Sequence, residues 1–376
     1  MVRPYKTNGK SINYVGNNIF PPIDDVLNQT FTIEEFENRV DSFHKKDYWE
    51  NISKINDRIF QSVVSFFTIR NAIFTILPLT TRMISSPGAV YGREAINYTT
   101  DTSPITLKWF DYQDIAFLSE SSQIYLELAL IQKNVNEVYS IYNSFRKEEA
   151  DATHLSEFHH VEFEGNVNQI ENQKIAFDML KKIIIDLLEY NLDDLKVFLG
   201  DEDIDELRNL VNQKDMKIIT FKEALNILYD DTKDEKYKNF TLENFGSWEE
   251  IRLSEILDGL IGIREFPLLE VPFYHAQVDD SNPKVADNLD IIWPGYREIL
   301  GSGHRVRSIQ ELDEKADLFN LPKADYQPYL QSRKFENYKT SSGFGLGWER
   351  LVQGLLKMPF IWTASQFPRV DKTLKP

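Results

Sequence analysis

FRKEEADATHLSEFHHVEFE, residues 145–164, is the stretch whose reading decides the fold. Its last seven residues alternate as a strand does, so Phe158, His160, Glu162 and Glu164 fall on one face and His159, Val161 and Phe163 on the other. An aromatic ring with three ionisable groups on one sheet face fits a pocket floor, and the alternation alone fits a solvated antiparallel face as well. Arg146 follows an apolar strand expected at 138–145 and enters the charged run Lys147-Glu148-Glu149. Its planar fork suits a phosphate oxygen, while a surface ion pair with either glutamate is the plainer use of the same charges.

Outward from this stretch, further strands are expected at 115–119 and 158–164, with a helix at 123–131. Ile52, Ile55, Ile59, Val63 and Phe67 recur at helical spacing and lead into the β-rich AIFTILPL, a helix feeding a strand that ends at Pro78. Met179, Ile183 and Leu187 mark a second long helix over 168–190. Residues 83–104 are rich in Ser, Pro, Gly and Thr and predict a long loop, which in a compact domain is more often functional than idle. Residues 166–262 are expected to be a largely helical insertion decorating the main sheet. Residues 1–45 show little periodicity and are expected to form an arm ending in a short helix within IDDVLNQTFTIEEFENRVDSF. From residue 268 strands return in LLEVPFYHA, LDIIW and HRVRSI, and GFGLGWERL closes the pattern as a strand leading into a helix.

Composition narrows the chemistry. The 376 residues carry 42 Lys+Arg against 59 Asp+Glu, a net charge of −17 that repels nucleic acid at long range unless basic groups are locally concentrated. Zero cysteines exclude disulfides, thiolate metal sites and a thiol nucleophile. The first residues hold no apolar stretch after their basic groups, and no apolar run approaches the length of a membrane span, so a cytoplasmic protein with no membrane partner is expected.

Gly343, Gly345 and Gly347 lie at alternate positions, which in a strand bares one face for a phosphate chain or a flat ligand, or for tight packing. Arg350, early in the following helix, can reach back to that face. Asp290 interrupts an apolar strand and Glu298 precedes a Gly-Ser-Gly break; two hard carboxylates beside a polyphosphate would suit Mg²⁺. His154, His159 and His160 make a poor chelate, because alternation parts 159 from 160.

Together these motifs resemble the catalytic domain of class II aminoacyl-tRNA synthetases of the aspartyl/asparaginyl subgroup. The second signature motif is matched by FRKEEADATHLSEFHHVEFE and the third by GFGLGWERL. LSESSQIYLE, LDIIWPGYREILGSGHR and QFPR extend the resemblance over 46–376. The resemblance implies an α+β fold, a class II synthetase-like antiparallel β-sheet flanked by helices, usually dimerised through the first-motif helix and strand. It implies ATP and Mg²⁺ as cofactors and an acyl-adenylate intermediate. By motif position, Arg146 would grip the α-phosphate, Glu148 would touch the adenine and Phe158 and Arg350 would sandwich it. His154 would lie near the γ-phosphate, Gly345 and Gly347 under the nucleotide, and Asp290 and Glu298 would hold the metal. Ser121, Gln123 and Glu162 would hold the amino acid's backbone groups and Arg305 its side chain.

Leu126 stands where aspartyl enzymes carry a Lys, and Glu127 matches the asparaginyl pattern, which disfavours aspartate. Some 45 residues precede the domain, fewer than the anticodon-binding barrel of the subgroup needs. The second-motif loop lacks an Arg before His154, Pro87 replaces a Glu, and Thr340 replaces a common His. The chain is also similar to the archaeal-type asparagine synthetase related to asparaginyl-tRNA synthetase, down to Pro328-Tyr329-Leu330. The expectation is therefore an AMP-forming ligase that adenylates aspartate, asparagine or a close analogue and transfers the acyl group to ammonia or a small amine. An asparaginyl-tRNA synthetase variant comes second, with tRNA not favoured on charge, and a non-catalytic regulatory paralogue third.

Overall fold

The computed structural model describes residues 4–20, 37–45, 47–92, 103–149 and 151–375. The chain opens with an antiparallel meander of β1 (Tyr5–Asn8), β2 (Ser11–Tyr14) and β3 (Asn17–Phe20), where an arm with little periodic structure was expected. Its strands are too short to show a pattern, and its second turn depends on left-handed backbone at Val15 and Gly16. Tyr5, Ile12 and Ile19 all enter the main core. Of the acidic stretch at 23–43, which was expected to hold a short helix, residues 23–36 lie outside the described residues and α1 (Arg39–Phe43) is a helix.

Helix α2 (Asp47–Ile69) buries Ile52, Ile55, Ile59, Val63 and Phe67, the stripe read from spacing. It leads to the short β4 (Ile73–Phe74). Next come β5 (Thr80–Thr81), β6 (Thr106–Leu107) and β7 (Ala116–Leu118), a small separate sheet in the order β5-β7-β6. Residues 93–102 of the expected loop lie outside the described residues. Helix α3 (Gln123–Ala129) precedes the long hairpin of β8 (Glu137–Phe145) and β9 (Glu157–Gly165).

Helix α4 (Gln169–Tyr190) starts at Asn168, whose side chain accepts from the Glu171 N–H at 2.9 Å. It was expected to open a decorating insertion, yet Met179, Ile183 and Leu187 pack into the same core as the α2 stripe. The chain then runs through α5 (Leu192–Lys196), α6 (Asp201–Asn212), β10 (Lys217–Thr220), α7 (Phe221–Thr232), α8 (Ser247–Leu257) and β11 (Ile261–Arg264). It closes with β12 (Asn288–Ile292), β13 (Glu298–His304), α9 (Ile309–Leu318), α10 (Lys323–Gln331), β14 (Ser342–Gly347) and α11 (Trp348–Leu355).

Eight strands form one sheet in the order β10-β11-β12-β13-β14-β9-β8-β4. Its interior is antiparallel and only the outermost pairs, β10 with β11 and β4 with β8, are parallel. Three strand expectations need correction, the first being that the strand expected to end at Pro78 stops at Phe74. LLEVPFYHA is irregular, with one isolated bridge at His275 and another just before it at Pro267, and the strand placed at HRVRSI lies one segment earlier, at EILGSGH. Gly301 and Gly303 look like breakers in sequence, but they pair with Gly345 and Gly343 of β14 and continue the ladder. No helix among the described residues is long and apolar enough to cross a membrane.

Candidate active site

Register aligns the chemistry in rows, because directly paired residues project to the same side of a sheet. Glu162, Gly345, Gly301 and Asp290 stand abreast on β9, β14, β13 and β12, and Glu164, Gly343, Gly303 and Asn288 form the next row. The floor is thus bare in the middle and carries polar groups at both ends. A Cβ at Gly343 would collide with the Glu164 carboxylate and the Gln123 amide. The opposite face of the same strands carries Val161, Phe163, Phe344 and Leu346 into the core. Alternation in FHHVEFE therefore marks a pocket floor, and His159 on the other face binds Glu349 with its Nδ1 at 2.6 Å. Over the floor lies a cavity of about 480 Å³, lined by every site residue named from sequence.

At one end sits Arg146, immediately after β8, its guanidinium 5.2 Å from the Phe158 ring centre and its Nη1 3.8 Å from Glu148. His160 bonds Ser144 Oγ at 2.8 Å and is held neutral by burial and by the charges of Arg146 and Arg350. Arg350, in the first turn of α11, donates to the carbonyls of Thr153 at 3.2 Å and Glu298 at 3.0 Å. Its guanidinium is thereby fixed, and the side chain lines the cavity. His154 Nδ1 donates to Asp151 at 2.6 Å, and Arg297 donates to His154 Nε2 at 3.1 Å. Burial alone would raise the Asp151 carboxyl, but His154 and Arg297 hold it below its ordinary value.

Asp290 and Glu298 converge over Gly301, whose absent Cβ would lie 3.4 Å from Asp290 Oδ1 and 3.0 Å from Glu298 Oε1. Burial raises both carboxyls; their mutual repulsion raises Asp290 further, and Glu250 adds to the negative field at each. Arg350, Arg146 and Arg297 partly offset this at Glu298 but not at Asp290, and two hard carboxylates so placed fit a divalent cation. Among the described residues no third His, Asp or Glu completes an all-protein metal cage, so phosphate oxygens would supply the remaining ligands.

At the other end, Ser121 donates to Glu162 Oε1 at 2.6 Å, and burial pushes Glu162 up to about 7. The Gln123 amide donates to the Phe163 carbonyl at 2.7 Å and to Glu164. Arg305, 2% exposed, commits Nε and Nη2 to Glu164, at 3.0 and 2.8 Å, under the Tyr274 ring. Behind it Arg333 pairs with Glu127, which also accepts from Tyr329 at 2.6 Å. Gln123 and Arg305 therefore line the cavity while bracing a buried carboxylate. Leu126 does not face the cavity; it packs with Ala129, Leu130 and Val138, so a Lys there bears on substrate charge only indirectly.

Several lining residues had not been singled out, among them Glu120, Arg297, Glu250 and His275. Glu120 accepts from the Ser86 N–H, beside Pro87, and burial pushes it up to about 7. Its signal was available: an acid between small residues at a strand-to-helix junction. Arg297 stands next to Glu298 in sequence and binds Glu250 at 3.0 Å. Glu250 itself comes from an acidic helix start with nothing to distinguish it, and His275 belongs to no motif. Leu242, Phe245 and Gly246, just before α8, close one wall, so the segment between the motif-bearing strands shapes the site.

The chain is similar to known proteins in sequence and in fold. The chain is 29% identical over 330 residues to the asparagine–tRNA ligase of Koribacter versatilis, covering 86% of this chain and 70% of the relative. It is 30% identical over 273 residues to the asparagine–tRNA ligase of Pyrococcus furiosus, covering 72% of this chain and only 60% of the relative. The asparaginyl-tRNA synthetase of Pyrococcus horikoshii, solved with asparaginyl-adenylate, superposes with a TM-score of 0.79 at 24% identity, over 97% of this chain and 78% of that one. The aspartyl-tRNA synthetase of Entamoeba histolytica superposes with a TM-score of 0.69 at 20% identity, over 91% and 62%. The family model for class II tRNA synthetases (D, K and N) matches residues 34–371, and the chain belongs to that family.

Proposed function

We propose that the chain joins asparagine to ATP, forming asparaginyl-adenylate and pyrophosphate, and passes the asparaginyl group to the 3′ end of a tRNA. The relatives support the acceptor by name, and none of those above is named for ammonia or a small amine, which displaces the amine-transfer expectation from first place. The long-range charge argument against tRNA yields to this.

One observation carries the choice of amino acid. Arg305 and Arg333 are matched one to one by Glu164 and Glu127, all four deeply buried. A carboxylate side chain entering this balanced cluster would lose hydration without gaining a cation, whereas a neutral amide avoids that cost.

In this reading the α-carboxylate of asparagine attacks the α-phosphorus of ATP, and the bond to pyrophosphate breaks. Arg146 holds the α-phosphate oxygens as charge shifts between them, Glu148 meets the adenine edge, and Phe158 and Arg350 flank its faces. Gly345 and Gly347 let the nucleotide lie against the backbone. His154, fixed by Asp151, points an Arg297-bonded edge toward the γ-phosphate. Ser121, Gln123 and Glu162 orient the amino acid, whose ammonium suits the Glu162 carboxylate. Mg²⁺, held by Asp290 and Glu298, would supply neutralising charge to the phosphates. Catalysis comes from positioning and charge stabilisation, with no covalent enzyme intermediate.

ATP–pyrophosphate exchange across the standard amino acids, without tRNA, tests this. Asparagine should support exchange at least about tenfold better than aspartate, since one unpaired buried charge costs that much or more. Exchange with aspartate alone, with AMP release rising on addition of ammonia, would reinstate the amine ligase, and no exchange with any amino acid would return the regulatory paralogue.

A homodimer is also proposed. Ile69, Phe74 and Ile76 are 77%, 50% and 88% exposed around the β4 edge, an apolar patch on the helix and strand that the resemblance assigns to pairing. Sedimentation at micromolar concentration should give a dimer of 44.0 kDa chains, and F74E/I76E should sediment as a monomer. A monomeric unmodified protein would contradict this.

A further inference from the structure

His275 is 8% exposed and lines the amino-acid end of the cavity. Its backbone is fixed on all sides. The His275 N–H donates to the Pro272 carbonyl at 3.1 Å, the Ala276 N–H to the His304 carbonyl at 2.8 Å, and the Lys315 ammonium donates to the His275 carbonyl. An antiparallel bridge sets His275 opposite Arg305, so the two side chains project to the same side. The imidazole fills the space vacated by Gly303, where a Cβ would lie 2.6 Å from both Nδ1 and Cε1. Gly303 and His275 thus form a matched pair, since a side chain at one position evicts the other.

For all that fixation, the imidazole makes no hydrogen bond among the described residues, and Nδ1 is a buried nitrogen without a partner on a ring that lines the cavity. Leaving a buried polar nitrogen unpartnered destabilises the empty site. At a cavity wall, that cost is recovered when a ligand brings the partner. The ring is held neutral by burial and by the neighbouring charges of Arg305 and Lys315. A neutral imidazole offers one N–H and one lone pair. A carboxamide likewise carries both a donor and an acceptor, whereas a carboxylate carries acceptors only.

We propose that His275 is a specificity-determining residue of the amino-acid pocket, hydrogen-bonding the carboxamide of the substrate side chain. The inference rests on the asparagine-activating reading above and adds a residue to it.

The test is asparagine-, aspartate- and ATP-dependence of pyrophosphate exchange in the full chain and in His275→Phe, His275→Gln and Gly303→Ala, with a thermal melt of each. His275→Phe keeps the ring's bulk and removes its polar atoms. It should raise KM for asparagine about tenfold or more, leave KM for ATP unchanged, and reduce the asparagine-to-aspartate ratio of kcat/KM by a similar factor. His275→Gln should recover most of that loss, and Gly303→Ala should reproduce it by displacing the ring. An unchanged asparagine KM in His275→Phe, or equal losses for asparagine, aspartate and ATP, would overturn the assignment. Absence of asparagine-dependent exchange in the unmodified chain would overturn the functional reading and this inference with it. Normal exchange there, with an indifferent His275→Phe, overturns the inference alone.

Discussion

Arg146→Ala is expected to lower kcat for asparagine-dependent ATP–pyrophosphate exchange by about 10²–10³-fold, the loss seen when one preorganised donor is removed from developing charge. Arg146 is held at both ends of its reach. Its main-chain N–H donates to the Ser156 carbonyl at 3.0 Å, and its guanidinium stacks near Phe158. The side chain is about one-quarter exposed, so the fold does not depend on it and the variant should melt like the parent. Arg146→Lys separates charge from geometry. An ammonium is a point charge without the two parallel donors of a guanidinium, so it should restore only part of the rate. A fall of less than tenfold in Arg146→Ala would remove Arg146 from the phosphate site.

The second large effect is on stability. Arg305→Met should cost about 3–5 kcal/mol, because it leaves Glu164, fully buried, as an uncompensated charge. Burial lifts the neighbouring Glu127 carboxyl against the pull of Arg333, and Glu164 raises it further, so the cluster has no slack to absorb the loss. Urea unfolding followed by tryptophan fluorescence measures the change. The double variant Arg305→Met with Glu164→Gln removes both charges and should regain a substantial part of the stability, even where the single variant is too unstable to purify. Equal destabilisation by single and double variants would show that packing, and not charge, is what Arg305 supplies.

Much of the catalytic floor was legible in sequence because its determinants are local. Alternation in residues 158–164 separates pocket from core, and the every-second-residue glycines of β14 need only a strand to become a bare surface. Gly301 and Gly303 misled because the same residue type breaks a strand or continues it, and which occurs depends on the partner strand. Only register against Gly345 and Gly343 makes them floor. Leu126 misled for a related reason, since a helix presents successive residues to different neighbours and one turn decides between cavity and core. Tyr5, Ile12 and Ile19 escaped notice because the apolar residues of the meander lie on three separate strands. His275 and Glu250 were out of reach of any linear reading, as each acquires its place from a residue brought near by folding: Gly303 for the first, Arg297 for the second.

The position of β14 has a consequence for biosynthesis. It lies between β13 and β9 in space but is the last strand in the chain, ending at Gly347, whereas β9 ends at Gly165. A ribosome adding roughly 5–20 residues per second leaves the inner edge of β9 without a partner for on the order of ten seconds or more. Throughout that interval the nascent chain presents unpaired backbone N–H and C=O groups to any neighbouring strand. Chains stopped before residue 342 would keep both edges open, and they should depend on chaperones for solubility in a way that the 376-residue chain does not.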